Sequence, residues 1–124
     1  MYRCLDLDLF DEIERGRTWR EDVCEGAVVL RGHALAAEAD LLSAIESIIA
    51  QAPLRHMTTP GGFRMSVAMT NCGHCGWVTD RSGYRYDGLD PESDQKWPPI
   101  PDVFLALAQS TALQAGIQNL EPDA

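Results

Sequence analysis

No apolar run in this 124-residue chain is long enough to cross a bilayer, because the longest are broken within a few residues. The first residues, MYRCLDLDLFDEIERG, are acidic and lack the cationic start and apolar stretch of a secretory leader. Cytoplasmic residence is therefore the expectation. Cysteine is sparse, and in that compartment Cys4, Cys24, Cys72 and Cys75 are expected as reduced thiols rather than a disulfide framework. Positive charge is scarcer than negative, with 10 Lys and Arg against 19 Asp and Glu and a net charge of −9. That balance argues against nonspecific nucleic-acid binding by the whole surface. There is no internal repeat or low-complexity tract, and the length allows one domain with one core.

The few cations are not evenly spread. Between Pro53 and Tyr86 stand Arg55, Arg64, Arg81 and Arg85 against the single acid Asp80, whereas residues 1–52 and 87–124 each carry a net −6. A cationic, aromatic hairpin between acidic flanks suits a flat anionic ligand such as a nucleotide. Four arginines can release at most about four counterions, a salt slope of roughly 3 on single strands. A solvated hairpin with incidental arginines is the plainer reading of the same residues.

Apolar residues at Leu41, Leu42, Ile45, Ile48, Ile49 and Ala52 predict a helix over 37–52, stopped by Pro53. A second helix is expected from Pro101, with Val103, Phe104, Leu107, Ala108 and Thr111 on one face and Gly116 as its C-cap. Ala27–Arg31 reads as a strand. Phe63, Met65, Val67 and Met69 alternate with smaller or polar residues and predict a strand over 63–70. Gly76–Thr79 and Tyr84–Tyr86 read as its partners, joined by the Arg81-Ser82-Gly83 turn. Residues 1–25 read as an extended arm anchored by Leu7, Leu9, Phe10 and Trp19. The class is α+β, with two amphipathic helices, short antiparallel strands and too few strands to cover both helical faces. The organisation is an arm, strand and helix over 1–52, a hairpin over 53–90, and a proline-rich connection with a helix over 91–124.

Met57, Thr59-Pro60-Gly61-Gly62, the run Met65-Ser66-Val67-Ala68-Met69-Thr70-Asn71-Cys72-Gly73-His74, Gly76-Trp77 and Gly83-Tyr84 together resemble the AlkB family of alkylated-DNA repair dioxygenases. The likeness extends to Leu7-Asp8-Leu9-Phe10, Gly26-Ala27-Val28, Asp90-Pro91, Trp97-Pro98 and Glu121-Pro122-Asp123-Ala124. It implies an Fe(II)- and 2-oxoglutarate-dependent oxygenase on a double-stranded β-helix (jelly-roll) core, of which this chain is similar to the N-terminal extension and the nucleotide-recognition lid. It further implies that Trp77 stacks on a flipped base, that Met69 and Thr59 line its pocket, and that Tyr84 touches the DNA backbone. Arg64 and Arg85 are candidate phosphate contacts. Alkylated DNA, preferably single-stranded, is the implied partner, with RNA as a second candidate. The chemistry agrees, since a base methylated on its pairing edge is cationic and an indole face attracts a cation by roughly 0.5–2 kcal/mol.

Iron in this family sits in a two-histidine, one-carboxylate triad that begins His-x-Asp. None of His33, His56 and His74 is followed two residues later by Asp or Glu. The expectation is therefore a portion truncated before the catalytic core, with no catalytic or metal residue of its own and no turnover. Fe(II) and 2-oxoglutarate are expected only in the complete family enzyme. A fragment with open helical faces is also expected to self-associate. Two alternatives compete: a noncatalytic module that binds nucleic acid or protein, and a Cys72-x-x-Cys75 metal or redox site. The latter lacks a second ligand pair for zinc and the helix start of a thioredoxin site. The acids Asp6, Asp8, Asp11, Glu12 and Glu14 lack the glycine and bidentate glutamate of a calcium loop.

Overall fold

The computed structural model describes residues 18–124, and there the chain begins with a two-stranded hairpin, β1 (Trp19–Cys24) and β2 (Ala27–Arg31). The strands are antiparallel, with a bulge between Asp22 and Cys24 and a turn in which Gly26 takes φ +80°. The strand at 27–31 is where the sequence places it. The extended arm is corrected at its end: Trp19–Cys24 is a paired strand, and Trp19 is exposed rather than an anchor. Every residue of β1 is exposed, so no alternation of apolar and polar side chains marks it in the sequence. The proposed anchors Leu7, Leu9 and Phe10 lie outside the described residues.

A short 3₁₀ turn (Leu35–Ala37) leads into α1 (Glu38–Gln51), whose first turn carries Glu38 and Asp40 at the positive end of the helix. Helix α2 (Asp102–Gln114) begins directly after Pro101. It ends as expected on Gly116, which takes φ +87°. Gly116 N–H donates to Leu113 O and Ile117 N–H to Ala112 O, the paired bonds that satisfy the last carbonyls of a helix. Between the helices, β3 (Gly76–Asp80) and β4 (Gly83–Asp87) form a second antiparallel hairpin closed by Arg81 and Ser82.

The predicted strand over 63–70 is not continuous, and it bridges to Arg55 and Thr58 rather than to the predicted partners at 76–79 and 84–86, which pair with each other. Met65 N–H donates to Met57 O, and Arg55 and Met69 exchange both of their backbone bonds. One side thus advances two residues while the other advances four, so Ser66–Ala68 are pushed out. The apolar residues divide accordingly: Met65 and Met69 pack inward, while Phe63 and Val67 are exposed. Alternation alone could not reveal this, because the two-residue period holds only while the pairing is regular.

The core lies under this irregular ladder. Ala52, Met57, Val78 and Trp97 are buried together, with Met65, Met69 and Trp77 packed against them. On the other side, Val28, Leu30, Leu41, Phe104 and Leu107 line an open apolar groove of about 610 Å³ between β2 and the two helices. Among the described residues no helix is long and apolar enough to cross a membrane.

Candidate nucleic-acid interface

Successive side chains of a strand point to opposite faces, and the register of β3 and β4 uses this to make two different surfaces. Trp77 stands opposite Tyr86 and Thr79 opposite Tyr84. On the other face Val78 enters the core, and Gly76 lies so close to Trp97 that a Cβ there would sit 2.7 Å from its ring. Trp77 and Tyr84, diagonal neighbours across the hairpin, stack with ring centroids 5.8 Å apart and planes 21° apart. Trp77 is half-buried, and Tyr84 and Tyr86 are exposed. The Thr79 hydroxyl is buried with no hydrogen-bond partner among the described residues.

Of the residues singled out by resemblance, Met69 and Trp77 pack on the same core cluster and Tyr84 covers Trp77. Thr59 is held in the adjacent turn. Its Oγ1 accepts the Phe63 N–H at 3.2 Å, its own N–H donates to Phe63 O, and its carbonyl accepts the Gly62 N–H. A base stacking on Trp77 would therefore meet Tyr84 at the indole and find the Thr59 hydroxyl already engaged.

The four arginines separate into two classes that the sequence does not distinguish. Arg55 is buried and forms a bidentate pair with Asp90, at 2.5 and 2.7 Å, beneath the ring of Trp97 at 5.3 Å. Arg85 grips both oxygens of Asp80 at 3.0 and 2.9 Å and reaches Asp87 at 3.2 Å. The Arg85 bonds and the Ser82 N–H hold the Asp80 carboxyl below its usual range. The Leu89 N–H, and then Arg85, do the same for Asp87. Arg64 and Arg81 are exposed and have no ion-pair partner among the described residues. Any phosphate at Arg85 would have to compete with two carboxylates. Sequence reasoning also missed the Arg55–Asp90–Trp97 centre, because its members are scattered through the chain and burial cannot be seen in a charge count.

The Cys72–Cys75 corner is structural in its contacts. Gly73 takes φ +114°, and a Cβ there would stand 2.5 Å from Asp123 O, the same oxygen that accepts the His74 N–H. Burial pushes the Cys72 thiol up, away from the thiolate that metal binding or exchange requires. Both cysteines are free, and among the described residues no three His, Cys, Asp or Glu side chains gather as a metal site. Replacing Cys72 and Cys75 together with serine is expected to leave the far-UV spectrum and nucleic-acid affinity nearly unchanged. Stoichiometric zinc in the purified parent, lost in that double variant, would contradict this.

Residues 26–124 match the family described as the 2OG-Fe(II) oxygenase superfamily. The chain is 47% identical over 118 residues to the alpha-ketoglutarate-dependent dioxygenase AlkB of Escherichia coli (strain K12), covering 95% of this chain and 53% of that protein. It is 48% identical over 119 residues to the protein of the same name from Salmonella typhimurium, with the same coverage of each. Similarity to an AlkB homolog of Caulobacter vibrioides, at 40% over 73 residues, covers 59% of this chain and 33% of that one. The chain thus spans about half the length of the first two relatives.

Proposed function

Because the chain belongs to the 2OG-Fe(II) oxygenase superfamily, and within it to the AlkB family, we propose that it supplies the damaged-base and DNA recognition lid of an alkylated-DNA repair dioxygenase acting in the cytoplasm. The observation that carries this reading is the Trp77–Tyr84 stack, presented on a hairpin whose opposite face is anchored in the core. An aromatic surface held in place before binding costs little to order and accepts any base by its π-face. A cationic, alkylated base gains further from the indole. A base that cannot pair is also the least costly to extrude. Met69, packed on the same core cluster as Trp77, provides the polarizable wall of the pocket, and Tyr84 the group that meets the backbone.

The superfamily's chemistry requires iron and 2-oxoglutarate, and the described residues offer no cluster that fits the iron. The role proposed for them is recognition: holding the base against Trp77 and the strand's phosphates at the arginines that have no carboxylate partner among the described residues.

Binding of a methylated single-stranded oligonucleotide, followed by fluorescence anisotropy, tests the reading. Trp77→Ala is expected to weaken it by ~1–3 kcal/mol. Since two of the four hairpin arginines are internally paired, the slope of log affinity against log salt due to this hairpin should not exceed about 1.4 on single strands, half of what the charge count alone allows. Affinity unchanged by Trp77→Ala and persistent at high salt would place the binding surface elsewhere.

A further inference from the structure

We infer that Phe63, with Arg64 and Arg81, forms a second nucleotide subsite that takes a base neighbouring the one held at Trp77, together with its phosphates. The inference rests on the lid reading above and adds a specific place for the flanking strand.

Phe63 is 75% exposed, the highest value among the large apolar side chains of the described residues. Its backbone is nevertheless fixed in position. Its N–H donates to Thr59 Oγ1 and its carbonyl accepts the Thr59 N–H. The next rung, Met65 N–H to Met57 O, ties the turn to the core. A large ring carried in water on a fixed backbone contributes little to the fold but is already placed for stacking.

The surroundings of that ring are cationic. The Phe63 ring lies over Gly61, 3.4 Å from where a Cβ would stand, and an Arg81 guanidinium nitrogen lies 3.5 Å from the corresponding point at Gly62. Gly62 has φ +86°, which a side chain would strain. An aromatic ring and a guanidinium thus flank consecutive glycines, and Arg64 follows Phe63 directly in the chain. These two exposed arginines are the two of the hairpin's four left without carboxylate partners among the described residues. In a chain of net charge −9, a polynucleotide is attracted only where cations remain free. Here Arg81 stands beside the turn that carries an exposed π-face, and Arg64 is that ring's neighbour in the chain. An apolar protein partner would use Phe63 but has no need of the arginines.

The test uses the full chain and two labelled single-stranded decamers, each with one central N-methylated adenine. In the second decamer, both residues adjoining that adenine are abasic. The parent should bind the first at least about fivefold more tightly than the second. Phe63→Leu, at an exposed site and with an unchanged far-UV spectrum, should abolish that difference. Arg64→Gln and Arg81→Gln should each lower the salt slope by about 0.7. A parent that binds both decamers equally, or a Phe63→Leu variant that still discriminates, overturns the subsite. If Trp77→Ala weakens binding in that case, the lid reading stands and only the subsite falls. If the parent binds neither decamer, both fall.

Discussion

Asp90→Asn is expected to destabilise the chain by about 3–5 kcal/mol, more than any surface substitution, because it leaves the buried Arg55 charge with only the exposed Glu92 carboxylate, 3.8 Å away, as a counterion. Arg55 and Asp90 are only 8% and 3% exposed, and the guanidinium is further enclosed by Trp97 and by its bond to Pro53 O. Asp90 also organises its own loop, accepting the Glu92 N–H at its side chain and the Asp94 N–H at its backbone. An amide cannot accept both arms of the guanidinium, and Arg55→Lys would lose the bidentate fork while keeping the charge. The pair also predicts an acid response. Its bonds to Arg55 hold the Asp90 carboxyl below the usual range, so its stabilisation is complete above the ordinary aspartate value of about 3.9 and is lost as pH falls through the depressed folded value. Denaturant unfolding at a series of pH values should show the parent losing stability below about pH 4 more steeply than Asp90→Asn. Asp80 and Asp87, held low in the same way, should keep some slope in the variant. A cost below about 1 kcal/mol at neutral pH would mean that the pair is not the closed, buried one described.

Trp97→Ala is expected to cost a comparable ~3–5 kcal/mol, the range for emptying a buried aromatic site. Trp97 is the largest member of the core cluster, roofs Arg55, and donates its indole N–H to Asp87 O at 2.9 Å. Trp97→Phe should cost less, about 1–2 kcal/mol, since it keeps an aromatic face over the guanidinium but loses the indole N–H bond to the Asp87 carbonyl. A second substitution makes the test specific to packing. At Gly76 a Cβ would meet Trp97 at 2.7 Å and Asn71 at 2.6 Å. Gly76→Ala should therefore destabilise the parent by about 1–3 kcal/mol and destabilise Trp97→Ala by less, because one of its two obstructions is gone. Equal costs in both backgrounds, measured by chemical denaturation, would show that Trp97 does not pack on the hairpin as described.

The parts of the fold that were legible in the sequence share one physical property: their signal is local. Helix α1 shows in the spacing of Leu41, Ile45, Ile48 and Ala52, and Pro53 marks its end. Helix α2 shows its start in Pro101 and its cap in Gly116. The β3–β4 hairpin shows in Gly83 and the flanking aromatic residues. Strand β1 could not be found because it buries nothing, and the 63–70 strand was overread because a bulge leaves no trace in a two-residue alternation. The candidate site divides in the same way. Trp77 packs with Met69 on the core cluster and stacks on Tyr84, contacts that no local spacing announces, whereas Phe63 falls within the predicted strand over 63–70 and is an exposed turn residue in the fold.

By itself the sequence determined the family, the α+β class, both helices and the placement of positive charge between two acidic flanks, since each follows from residue order or from spacing within a few turns. Only the tertiary structure decided which of those charges remain available. Arg55 finds Asp90 from 35 positions away, and Arg85 finds Asp80 across the hairpin, while Arg64 and Arg81 stay in solvent. Composition counts four equal cations, but a cation's availability depends on what the folded chain places beside it. A carboxylate brought within hydrogen-bonding distance satisfies a guanidinium in the same way a phosphate would.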